Sequence, residues 1–254
     1  MSETERVLLV VQGGVLTVTL NRPEKKNAID TPMIAGLLGA IERADLDAEV
    51  RVVALRGAGA DFCAGMDLNE LLASADKTVE QNRQAALRFG EIFIRIRKLP
   101  KPVVAVVHGR ALAGGCGLAT ACDLLVATES AKFGYPEVQR GFVPAIVMTL
   151  LKRTVGEKVA FDLAATGRIL SAPEAAELGL VSRVYEDSDF EEQVGEVLRA
   201  LAASSASALA FTKQQFYQLD GLRLEDGIRL GADVNAVSRT TPDFRATLQA
   251  FLKK

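Results

Sequence analysis

Residues 102–122 read PVVAVVHGRALAGGCGLATAC, and the order of side chains in this stretch decides the fold class. Val103 to Val107 is a short apolar, mostly β-branched run, the pattern of a strand buried on both faces. A loop follows, in which Gly109, Gly114 and Gly115 remove the Cβ atoms that would hold a ligand away from the backbone, and Leu118 to Cys122 suits a buried helix. Strand, glycine loop and helix start together make a place for negative charge, because the first helical N–H groups lack intrahelical partners and the helix dipole adds to them. The ligand is then a phosphate or an oxyanion developing on a reacting carbonyl. A P-loop is excluded because Gly115 stands where its lysine belongs. The dinucleotide fingerprint fails because Thr120 fills its third small position. Two readings remain: an oxyanion hole, or a glycine loop that packs closely against a neighbour.

Outward from this stretch, 254 residues suffice for a large core, read here as one domain with an appendage. With 49% hydrophobic and 24% charged residues the composition is that of an ordinary globular protein. Thirty basic against 32 acidic side chains give a net charge of -2, so nothing global draws the chain to nucleic acid or an anionic membrane. No apolar run reaches membrane-span length and MSETERVLLV lacks the features of a signal segment, so a cytoplasmic location is expected. Cys63, Cys116 and Cys122 show no Cys-x-x-Cys spacing and are expected to be buried packing residues. A single imidazole, His108, rules out a histidine-rich metal site.

Upstream, Val7–Val11 and Val15–Leu20 flank Gly13-Gly14, a connection suited to a tight hairpin. The polar loop NRPEKKN, residues 21–27, leads to a helix with Thr31 as expected N-cap and Pro32 as its first residue. Val50–Arg56 reads as a strand. A turn then leads into FCAGMDLNELL, with a bend at Gly65 and a helix opening at Met66 to Leu68. Lys77–Leu99 is long and amphipathic, and Pro100 and Pro102 stop it before the central strand. Downstream, Leu124–Ala127 is a strand, Pro144 opens a helix running to Lys152, and Ser171 with Glu174 forms a capping box for a short helix closed by Gly179. Leu180–Tyr185 is a last strand, and Phe190–Ala203, Ser207–Leu219, Leu224–Val237 and Pro242–Leu252 are helical.

Three segments in this order, FCAGMDL, HGRALAGGCGLATACDL and KFGYPEVQRGF, resemble the enoyl-CoA hydratase/isomerase family, the crotonase superfamily. NRPEKKNAI near the start and VGEKVAFDLAATGRILSAPEAAELGLVSRVY further on extend the resemblance over nearly the whole chain. It implies an α/β fold: a spiral of ββα units over residues 1–189 that carries the active site, followed by a helical region, 190–254, for docking and trimerisation. It also implies an acyl-CoA thioester substrate and a homotrimer or dimer of trimers. No metal or redox cofactor is expected, and coenzyme A enters only as part of the substrate.

Carried over residue by residue, the resemblance makes the backbone N–H groups of Met66 and Gly114 an oxyanion hole for the thioester carbonyl. It lays CoA along the loop containing Lys25, Lys26 and Ala28 and along Ala64, Met66, Asp67, Leu68 and Asn69. Hydratases of the family usually carry two glutamates. Here Glu137 matches the Pro-Glu position, whereas Gly117 stands at the other. The expected chemistry is therefore hydration or double-bond isomerisation of an enoyl-CoA, with Glu137 as the single acid/base. A specialised single-glutamate hydratase-lyase and a non-catalytic acyl-CoA-binding or regulatory protein are the alternatives.

Overall fold

The computed structural model describes residues 5–253. β1 (Val7–Gln12) and β2 (Val15–Leu20) pair antiparallel across the Gly13-Gly14 turn, where both glycines have positive φ. α1 (Thr31–Leu46) follows, but its N-cap is Asp30, one residue earlier than expected. The Asp30 carboxylate accepts from Met33 N at 2.9 Å, and Thr31 and Pro32 lie inside the first turn. β3 (Val52–Gly57), α2 (Leu68–Ala73) and α3 (Val79–Lys98) come next, α3 opening on a capping box between Thr78 and Gln81. The central stretch supplies β4 (Val103–Val107), β5 (Arg110–Leu112) and α4 (Gly114–Ala121), so the buried helix begins four residues before Leu118. β6 (Leu124–Thr128), β7 (Lys132–Gly134), α5 (Ala145–Val155) and α6 (Glu157–Thr166) follow. β8 (Ile169–Ser171), α7 (Ala172–Glu177) and β9 (Arg183–Tyr185) complete the sheets. Ser171 caps α7, but Glu174 turns its carboxylate to Arg168, so the capping box is only half formed.

The strands divide between two sheets, ordered β1-β2-β3-β4-β6-β9 and β5-β7-β8. β4, β5 and α4 make one ββα unit, and β6, β7 and α5 make the next, each giving one strand to each sheet. The segment after β3 behaves likewise: Cys63 pairs with Ala111 and Met66 with Ile29 as isolated parallel bridges, extending the small sheet toward the loop before α1. The core lies mainly on one face of the large sheet, where Leu16, Leu55, Ala105 and Val107 meet Met33, Leu37, Ile92 and Ile96.

α8 (Phe190–Ala203) covers the opposite face, with Phe190 and Val194 packed on Val52, Ala54, Val104, Val106 and Val126. α9 (Ala206–Gln218) is anchored to the core through Lys213, whose Nζ donates to Ile96 O at 2.7 Å and Lys101 O at 2.9 Å and pairs with Asp123 at 2.7 Å. α10 (Leu224–Ser238) and α11 (Pro242–Leu252) bury no residue. Among the described residues, no single helix is long and apolar enough to cross a membrane.

Candidate active site

Two glycine bends meet at the edge of the small sheet. The first is held by a ladder between the polar loop and the segment after β3: Ala64 N donates to Lys26 O at 3.0 Å, Ile29 N to Gly65 O at 2.8 Å, and Asp67 N to Ile29 O at 2.9 Å. Asn27 braces the loop from within. It has positive φ and is buried, its Nδ2 donating to Ala58 O and Asp61 O while its Oδ1 accepts from Arg22 N. Asparagine tolerates left-handed backbone and also replaces ladder hydrogen bonds with its side chain.

The second bend lies between β5 and α4. Ala113 has φ 50° and ψ -127°, a conformation costing a residue with a Cβ on the order of 1–3 kcal/mol. Ala113 N donates to Gly134 O at 2.8 Å, fixing the bend to β7. The bends touch: a Cβ on Gly65, where φ is +98°, would lie 2.9 Å from Ala113 Cβ and 3.3 Å from Gly114 N. Among the described residues, neither Met66 N–H nor Gly114 N–H has a hydrogen-bond acceptor. Gly109 and Gly115 are close-packing positions, where a Cβ would come within 2.0 Å of Ala60 O and 2.4 Å of Cys63 O. Gly114 faces Phe89 and Met66.

Glu137 lies in a 3-10 turn, Pro136–Arg140, directly after β7 and Tyr135. It is 8% exposed, and its Oε2 is buried with no hydrogen-bond partner among the described residues. Burial raises the Glu137 carboxyl above its ordinary value; a backbone amide and the Arg140 charge pull against that more weakly. Of the phenylalanines flanking Glu137 in sequence, Phe133 is fully buried and Phe142 half-exposed.

Around this centre the remaining candidates take different places. Lys25 and Lys26 are exposed and, among the described residues, in no ion pair, while Ala28 and Ala64 are half-buried beside the ladder. Leu68 and Asn69 are exposed on the first turn of α2. Asp67 is committed to the scaffold: its carboxylate caps α2 at Asn69 N and Glu70 N and accepts from Arg22 Nη1 at 2.6 Å. Burial alone would raise its carboxyl, but Arg22 and the two amides outweigh that and hold it below the usual carboxylate range. His108 Nε2 contacts Gly59 O at 2.8 Å, a turn contact. The three cysteines are buried and free, and burial pushes the Cys63 thiol up to about 12 and Cys116 up to about 11, so neither supplies a thiolate near neutral pH.

Phe89 and Phe93, inward residues of the amphipathic pattern of α3, lie with Val147 against Gly114 and Gly117 of α4, and of the three only Val147 went unremarked in the sequence. The Phe89 and Phe93 rings sit edge to face with centroids 4.9 Å apart. Gly114 and Gly117 are spaced i, i+3, which marks one helical face, but which side chains cover that face depends on how α3 and α5 pack.

The enoyl-CoA hydratase/isomerase family model matches residues 11–254. A Thermus thermophilus protein provisionally named an enoyl-CoA hydratase is 42% identical over 245 residues, covering 96% of this chain and 97% of its own. The 1,2-epoxyphenylacetyl-CoA isomerase of Escherichia coli is 33% identical over 252 residues, covering 98% and 96%. Among solved structures, an enoyl-CoA hydratase of Mycobacterium smegmatis superposes with a TM-score of 0.93 at 34% identity, covering 98% of this chain and 96% of that one. The shared fold is the crotonase fold with its C-terminal helices. The chain belongs to the enoyl-CoA hydratase/isomerase family.

Proposed function

We propose that this protein reshapes the double bond of an enoyl-CoA thioester, with Glu137 as its only acid/base and the N–H groups of Met66 and Gly114 as its oxyanion hole. The observation that carries this reading is the buried Glu137 carboxylate with an unpartnered oxygen, raised by burial toward the working range of a general base. The two free N–H groups at touching bends supply the complementary half. Charge grows on the thioester oxygen as an α-proton leaves or a nucleophile adds at C3, and each donor lowers such a barrier by about 2.7–4 kcal/mol. Both donors come from backbone, so the Met66 side chain is free to vary.

The ladder between residues 26–29 and 64–67 is the surface along which CoA lies in this reading, with Lys25 and Lys26 toward its phosphates and Ala28, Ala64, Leu68 and Asn69 beside it. Asp67 acts there through Arg22, keeping the loop and α2 in register. Hydration passes through a 3-hydroxy enolate and isomerisation through a dienolate, and in both the negative charge grows on the thioester oxygen that the two N–H groups would meet. The test is Glu137→Gln. Turnover of enoyl-CoA falls by about 10²–10⁴-fold while acyl-CoA binding measured by calorimetry persists. Retained turnover would remove Glu137 from the mechanism, and binding without turnover in the unmodified protein would make the chain an acyl-CoA binder.

The C-terminal helices support a homotrimer or dimer of trimers. Leu224, Ile228, Phe251 and Leu252 are exposed apolar side chains on α10 and α11, a face that a second copy of the chain would cover. Light scattering on the purified protein distinguishes three, six and one copies by mass.

A further inference from the structure

Two buried hydroxyls that take no part in the proposed chemistry meet in the core. Thr120, in the last turn of α4, and Tyr135, the residue after β7, are 6% and 0% exposed, and their oxygens lie 2.9 Å apart. Thr120 Oγ1 donates its one proton to Cys116 O at 2.8 Å, so the shared bond runs from the Tyr135 hydroxyl to Thr120 Oγ1. Burial raises the Tyr135 hydroxyl well above its ordinary value, which keeps that proton in place. Their sequence neighbours Leu118, Ala119 and Phe133 are fully buried apolar residues. Valine and phenylalanine would fill nearly the same volume as the pair; what the hydroxyls add is direction.

The segment that carries Tyr135 also grips the other end of α4. Ala113 N donates to Gly134 O at 2.8 Å, so adjacent residues 134 and 135 hold the helix at its start and again two turns further on, about 10 Å along its axis. A single hydrogen bond at the start would leave the helix free to roll about it, and the second removes that freedom. Pro136 follows Tyr135 directly, and its fixed φ passes the placing of Tyr135 on to Glu137.

We propose that Tyr135 and Thr120 are positioning residues: their hydrogen bond fixes the roll of α4 against the Pro136–Arg140 turn, and with it the placing of Gly114 N–H relative to the Glu137 carboxylate. The inference rests on the reading of those two groups given above. The pair acts on rate through geometry alone, and a misplacement of about 1 Å in such a site costs about a hundredfold.

The experiment is a double-mutant cycle read on both stability and rate, with whichever of a 2-enoyl-CoA and a 3-enoyl-CoA the native protein turns over. Thr120→Val strands the Tyr135 hydroxyl in the core and lowers the thermal midpoint; Tyr135→Phe added to it removes the stranded group and recovers part of the loss. The rates do not follow. Thr120→Val, Tyr135→Phe and the double variant each lose about ten- to a hundredfold in kcat with KM nearly unchanged, and the double variant loses no more than either single one. Thr120→Ser, which keeps the hydroxyl, keeps a native-like kcat. Native kcat in Tyr135→Phe, a loss carried by KM alone, or a kcat that recovers with the thermal midpoint in the double variant would overturn the proposal. An inactive Glu137→Gln beside a fully active Tyr135→Phe would overturn it and leave the reading of Glu137 standing. A Glu137→Gln that keeps turnover, or a native protein that turns over neither thioester, removes both.

Discussion

Arg22 Nη1 donates to Asp67 Oδ2 at 2.6 Å, joining the basic loop to the residue that follows Met66. The guanidinium also lies 3.5 Å from Asp30, the N-cap of α1, so one side chain ties together the starts of two helices. Both side chains of the pair are largely buried, 12% and 7% exposed. This pair gives the ladder beneath Met66 a fixed geometry.

Breaking it has a measurable cost. Asp67→Ala removes a helix cap, about 1 kcal/mol, and leaves Arg22 with the weaker Asp30 contact; removal of one partner from a buried pair costs about 3 kcal/mol or more. Chemical denaturation measures the loss, and a change below about 1 kcal/mol contradicts the role. The Asp67 carboxyl is held below its ordinary value, so its contribution is present above the unfolded value and is lost as pH falls through the folded one. Asp61, held low chiefly by its bond to Arg110, adds to the same acid limb.

Glu137 has the opposite linkage. Its folded value is raised, so the protonated form is favoured in the fold and stability falls as pH rises through that value. Glu137→Gln is accordingly expected to keep or raise the thermal midpoint near neutral pH while turnover is lost. The kcat profile of the native protein rises with pH along a limb displaced above the ordinary glutamate range. A variant both inactive and clearly less stable would indicate that Glu137 holds the turn rather than the proton.

Ala113 stores strain that glycine would release. With φ 50° and ψ -127°, Ala113→Gly relieves on the order of 1–3 kcal/mol and gives back about 0.5–1 kcal/mol in unfolded-state entropy. Thermal unfolding should show a net gain of about 1 kcal/mol. A loss would mean that Ala113 Cβ packing against the Gly65 bend outweighs the strain.

Gly65→Ala acts on that same contact from the other side. Its Cβ would press on Ala113 Cβ and crowd Gly114 N, separating the two bends. A misplacement of about 1 Å in such a site costs about a hundredfold in rate. Circular dichroism confirms that the variant folds. Full activity in a folded Gly65→Ala protein would show that the separation of the bends does not matter.

Much of this architecture is legible in the chain because it rests on periodicity and turn chemistry. The Gly13-Gly14 hairpin, the all-buried Val103–Val107 strand and the four terminal helices follow from patterns local to each segment. β5, β7 and β8 escape such a reading: each has three residues, too few for an alternating pattern, and exists because neighbouring chain supplies its partners. Asp30 wins the cap of α1 over Thr31 because its carboxylate also meets Arg6 and Arg22, contacts far away in sequence. At the site, Glu137, Met66 and Gly114 are visible as motif residues, whereas Val147 becomes visible only once α5 packs on α4.

The most direct test of the account is the ultraviolet absorbance of the conjugated thioester, followed with the native protein and Glu137→Gln on a 2-enoyl-CoA and on a 3-enoyl-CoA. The account predicts a fall with the first or a rise with the second for the native protein and neither for the variant, although both proteins bind the thioesters. Equal changes with the two proteins, or no change with the native protein on any enoyl-CoA it binds, would contradict it.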